Sequence, residues 1–228
     1  MPSHFNLKEH QRRDLTSLVS LGPERLDEIR VAIERSQEAP LTPSEIESII
    51  DPTLKDLEVT GEIVTRVLVS MAITCRTARI STAELMDRLQ ASITSESAKG
   101  YEAEWSKARK HIESLIDLAP IRRVAKALDL SYDHENLLSS TRILCDVRPV
   151  FSDDDAEISG AVVMQTLSLE YRRNGRTMTL SLAVDSEDIE KLSAECERAR
   201  KKAFSARRKM DACHITSFIV GEEKGNEK

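Results

Sequence analysis

Glycine and proline are scarce in this chain, seven of each in 228 residues, and aromatic residues make up only 4%. A composition so poor in both excludes a collagen-like, loop-dominated or largely disordered protein and favours helix. The glycines stand singly at 22, 61, 100, 160, 175, 221 and 225, so neither a dinucleotide fingerprint nor a P-loop brings backbone donors against phosphates. A GxSxG elbow is also missing. The four cysteines, at 75, 145, 196 and 213, share no short spacing, which argues against a zinc ribbon or a disulfide framework and for a reducing compartment. No apolar run approaches a membrane span, and MPSHFNLKEHQRRDL lacks the apolar stretch of a signal peptide, so a cytoplasmic protein is expected. Neither sign of charge dominates. With 33 Lys+Arg against 39 Asp+Glu, a net −6, no long-range positive field draws the whole molecule to phosphate, and any such site must be local.

What is present is a helical pattern with clear punctuation from Phe5 to about Ser139. Gly22-Pro23 ends a first helix and opens a second, whose stripe is Leu26, Ile29 and Ile33 and which Pro40 ends. Thr42-Pro43 reads as N-cap and first helical position of a short helix carrying Ile46, Ile49 and Ile50 and stopped at Asp51-Pro52. Leu54 to Cys75 is apolar on more than one side, through Leu57, Ile63, Val64, Val67, Leu68 and Met71, as the central helix of a bundle would be. Ser81-Thr82-Ala83-Glu84 fits a capping box ahead of Leu85, Leu89 and Ile93. Gly100 to Leu118 carries Trp105, Ile112, Leu115 and Ile116, and a last helix follows Pro120 through Val124 and Leu128.

Across Ser131–Ser140 the period changes from helical to two, which places a domain boundary there. Arg142–Phe151 alternates Ile143, Cys145 and Val147, and Pro149 confines its end to an edge. The acidic segment Ser152–Gly160 reads as a loop. Val163–Arg173 and Arg176–Val184 flank Asn174-Gly175, both of which accept the positive φ of a type I′ turn. A two-residue loop pairs Arg173 with Arg176, Tyr171 with Met178, Leu169 with Leu180 and Leu167 with Leu182, leaving one face apolar and the other polar. Asp185-Ser186-Glu187-Asp188 then caps a long final helix, acidic at its start and basic near its end, as the helix dipole favours. Its stripe, Ile189, Leu192, Cys196, Ala199, Ala203, Ala206 and Met210, alternates steps of three and four, the spacing of a helix laid along a flat partner or another helix. The expected fold class is α+β: a helical bundle over 1–139, a β-β-β-α module over 140–213 and a flexible tail over 214–228.

The strand Arg142-Ile143-Leu144-Cys145-Asp146-Val147, the hairpin Met164–Val184 around Asn174-Gly175, the step Asp185-Ser186 and the helix from Glu187 together resemble a COMM domain. The resemblance covers roughly the final third of the chain, and the helical part is similar in organisation. Members usually carry a tryptophan at the start of the first strand, where Arg142 and Ile143 stand here. What the resemblance implies is a non-enzymatic adaptor or scaffold that dimerises through sheet and helix, with itself or with related subunits, and that needs no cofactor. Physics points the same way, because a three-stranded sheet with one covering helix has unpaired edges and too little material to bury both faces.

The residues expected to form the dimer interface or the module core are Val147, Leu167, Leu169, Tyr171, Met178, Leu180, Leu182, Ile189, Leu192 and Cys196. Cys145 and Cys196 read as small core residues, since nothing in the sequence lowers their pKa. None of His4, His10, His111, His134 and His214 sits in a metal-ligand spacing. Asp153-Asp154-Asp155-Ala156-Glu157 lacks the glycine and distal glutamate of an EF-hand and reads as a solvated loop. A helix-turn-helix within 41–94, with Ser81–Ile93 as reader, would offer only Arg88 as basic chemistry. Arg198, Arg200, Lys201, Lys202, Arg207, Arg208 and Lys209 form the one dense basic patch. It reads as a solvated helix face without aromatic partners around it. The alternative function is a regulator binding nucleic acid or anionic lipid through that face, with any membrane association peripheral. An enzyme ranks third and would need a deep polar pocket with shifted titratable groups.

Overall fold

The computed structural model describes residues 7–36, 39–94, 99–154 and 157–221. His4, Phe5, Asp155, Ala156 and the side chain of Ile93 lie outside them. Among the described residues seven helices precede three strands and a final helix, an α+β order, and the chain divides into two compact units, 1–131 and 132–228.

The first unit is built from α1 (Glu9–Ser20), α2 (Gly22–Arg35), α3 (Pro43–Leu54), α4 (Gly61–Ala78), α5 (Thr82–Thr94), α6 (Lys99–Ile116) and α7 (Ala119–Ser131). Local sequence chemistry sets several of these starts. Glu45 reaches back to accept the N–H groups of Thr42 and Leu41 at 3.0 and 2.7 Å, and Ser81 Oγ accepts the N–H of Glu84 at 3.1 Å. As the two-sided apolar pattern predicts, α4 is central and packs on α1, α3, α5, α6 and α7. Its Val64 and Leu68 join Leu18, Ile29, Ile50, Trp105, Ile112 and Leu115 in one contiguous core. Two boundaries differ from the sequence reading: the central helix begins at Gly61 and not at Leu54, which leaves Leu57 exposed in the turn before it, and the third helix ends later than expected. The third helix runs past Asp51-Pro52 to Leu54, because Leu54 continues the 46–50–54 stripe and is buried with Ile46 and Ile50. Arg66 to Asp14 at 3.0 Å and Arg76 to Asp129 at 2.7 Å tie α4 to α1 and α7 at the surface.

The second unit is an antiparallel sheet in the order β1 (Asn136–Phe151), β2 (Ile158–Arg173), β3 (Arg176–Val184), followed by α8 (Ser186–Ala212). The hairpin has the register that the turn demands. Arg173 pairs with Arg176, Tyr171 with Met178, Leu169 with Leu180 and Leu167 with Leu182, around Asn174 at φ 51° and Gly175 at φ 75°. Both long strands begin earlier than alternation predicts. In β1 the ladder slips between Leu138 and Ser140, so the extra residue Ser139 breaks the two-residue period that would have marked the strand from Asn136. The cap of α8 is reciprocal: Asp188 N–H donates to Asp185 Oδ1 at 2.8 Å, and Asp185 N–H to Asp188 Oδ2 at 3.3 Å. After α8 the chain reverses at His214, φ 56°, where Ile215 N–H donates to the Met210 carbonyl at 3.0 Å.

Candidate functional site

The strand register sets rows of apolar residues on one face of the sheet, while Leu144, Val150, Val162 and Met164 fall on the other. Successive cross-strand rows are Leu138–Tyr171–Met178, Thr141–Leu169–Leu180 and Ile143–Leu167–Leu182, with Val147–Val163 beyond the end of β3. A face of this kind ordinarily becomes the inner layer of a sandwich or the floor under a helix. Here it stays open. Met178, Leu180 and Leu182 are 42–44% exposed and Val147 66%, and of the whole unit only Leu167 and Ser168 are buried among the described residues.

The helix repeats the pattern. No residue of α8 is buried, Leu192 is 44% exposed, and Cys196, Ala199 and Ala206 are exposed along the same stripe. Sheet face and helix stripe are thus two one-sided apolar surfaces, neither serving as the other's cover. Cys145 and Cys196 are corrected accordingly: both thiols are exposed, because the faces they lie on are uncovered within one chain.

The basic segment covers the rest of the second half of α8, with Lys202 and Lys209 flanking the apolar stripe. Arg198 pairs with Glu195 at 2.9 Å and Arg200 with Glu197 at 3.2 Å, so its first turn is partly neutralised. The reading of a patch without aromatics is also corrected. Phe204, 48% exposed, stands three and four residues from Arg200, Lys201, Arg207 and Arg208 and shares their face. Its signal was the same helical spacing, obscured because a phenylalanine is first sought on the apolar stripe.

In the first unit, charged groups already serve one another. A groove of about 410 Å³ between α1, α4 and α5 is rimmed by Asp14 and Arg66, which are paired, Arg66 also reaching Glu62 at 2.6 Å. Arg88 bonds Glu84 on its own helix at 2.5 Å. Burial pushes the Cys75 thiol up, away from the reactive thiolate. Trp105 is a core residue at 1% exposure. Among the described residues no three His, Cys, Asp or Glu side chains gather as metal ligands, and no helix is long and apolar enough to cross a membrane. Compared with protein-family models and with curated proteins, the chain matches none.

Proposed function

We propose that this protein is a non-catalytic assembly subunit that dimerises, with itself or a related chain, through a COMM-like module over its second unit. One observation carries the reading: a 16-residue strand pair, a third strand and a 27-residue helix fold with only Leu167 and Ser168 buried, leaving Val147, Met178, Leu180 and Leu182 of the sheet's apolar rows exposed. An apolar face of that extent in water is the mark of a surface that a partner covers. The strand order β1-β2-β3, the Asn-Gly turn and the capped final helix support the resemblance to COMM domains. The phenylalanine within the basic face favours a second reading, an anionic-phosphate binder.

Light scattering coupled to size exclusion tests the first reading on the full chain, at low and high salt. It should report twice the 25.6 kDa chain mass in both, because apolar burial is not screened. Replacing Leu169 and Leu180 together by Asp should yield a monomer whose helical bundle still unfolds cooperatively. A wild-type monomer at tens of micromolar would remove the reading.

A further inference from the structure

The charges of α8 are segregated along its length. Ser186–Glu197 holds five acidic residues and one basic, whereas Arg198–Met210 holds seven basic residues and no acid. Two such helices side by side in the same direction set like against like, and running oppositely they set each half against its complement. The apolar stripe divides at the same place. Its first half has the larger side chains, Ile189, Leu192 and Cys196, and its second half the alanines 199, 203 and 206 ahead of Met210.

Resting on the dimer reading above, we infer that α8 pairs antiparallel with α8 of a second copy, in the register that sets residue 196 against residue 199 of the partner. Seam positions of antiparallel helices face each other in mixed layers, so this register seats Ile189, Leu192 and Cys196 on the partner's Ala206, Ala203 and Ala199. Each of these layers then holds one larger and one small side chain, and the helices approach closely, with Met210 at the end of the stripe meeting the partner's Asp185. On the flank preceding the seam, Asp188 meets the partner's Lys209 and Glu195 the partner's Lys202, each twice by symmetry. The opposite flank sets Ser193 against the partner's Arg200, with no like charges. Sliding the pair by one heptad, to set 199 against the partner's 203, brings Lys202 onto the partner's Lys202 and Arg200 onto the partner's Arg200. A parallel pair brings Lys202 onto the partner's Arg207 and Leu192 onto the partner's Leu192, with alanines facing alanines farther along. The self-complementary register is the one that charge and size select together.

A double-mutant cycle at positions 195 and 202 tests this on the full chain, with dimer dissociation followed by sedimentation equilibrium. Both side chains are exposed, and seven residues apart they do not meet within one helix. E195K and K202E should each raise the dimer dissociation constant roughly tenfold, as two interhelical pairs turn from attraction to repulsion. The variant carrying both changes should return to within about twofold of wild type. A K202E chain that dimerises more tightly indicates a parallel pair, and single changes without effect on a persistent dimer indicate a helix seated elsewhere; either overturns the pairing alone. A wild-type monomer overturns the dimer reading together with it. Unchanged far-ultraviolet circular dichroism in each variant establishes that helix content is not the cause.

Discussion

Thr65 is a threonine where the packing calls for valine. It sits at 0% exposure on the central helix among apolar neighbours, and its Oγ1 has no hydrogen-bond partner. A buried hydroxyl left without a partner keeps the cost of leaving water and gains nothing in return. Thr65→Val keeps the branched shape and removes that cost, so thermal unfolding should move up, by about 1 kcal/mol of stability. An equal loss instead would mean that the hydroxyl is bonded. Gly175 illustrates the opposite case, a residue whose identity the backbone dictates: at φ 75° beside Asn174 it completes a turn that other side chains would strain.

At the scale of elements, α3 and α4 share the apolar core, and acidic side chains crowd the junction where α4 begins. Gly61, the first residue of α4, lies so close to α3 that a β-carbon there would run into the Asp51 carboxylate. Glu47 faces this junction half-buried, and its carboxyl is held above the usual range by burial, then by the nearby charges of Glu62 and Asp51. A carboxyl raised on folding binds its proton more tightly in the native state, so its ionisation costs stability as pH rises from the ordinary glutamate range through the folded value. Glu47→Gln should therefore raise the melting temperature at pH 7 and make no difference below about pH 4, where both states are protonated. A gain that persisted in acid would assign the effect to packing. Elements of this kind are legible in the sequence when several local signals agree, as at Asn174-Gly175, where turn chemistry and alternation specify one register. They are illegible where one signal cancels another. Ser139 broke the period of β1 and concealed its first residues, and Leu54 held the last turn of α3 beyond a proline that reads as a stop. What covers an apolar face is written in no local pattern: Cys145 and Cys196 look like core residues because they lie on apolar stripes, and only the fold shows those stripes bare.

At the scale of the whole molecule, the two units draw their stability from different sources. The bundle encloses its own core, with Trp105, Leu18, Ile46 and Ile112 at 0–1% exposure. The sheet and helix of the second unit enclose almost nothing, so under the dimer reading proposed above their order depends on association and hence on mass action. Heating should then show two transitions. The bundle's midpoint should stay fixed when concentration changes a hundredfold, while that of the second unit rises with concentration; calorimetry across that range checks both. A single midpoint independent of concentration would mean that the second unit carries its own fold. The marked charge of α8 is a local arrangement in a chain of net −6, which is why bulk composition does not reveal its polarity.

The unequal lengths of the strands have a consequence for amide exchange. β3 pairs only with Gln165–Arg173, so Ile158–Met164 of β2 is bonded to β1 on one side and open on the other. In an antiparallel ladder successive N–H groups point to opposite sides, so alternate amides along Ile158–Met164 face water while their neighbours are held by β1. Deuterium should enter this stretch in a two-residue rhythm that stops abruptly at Gln165, and a strand added along the open edge would erase the rhythm and leave every amide slow.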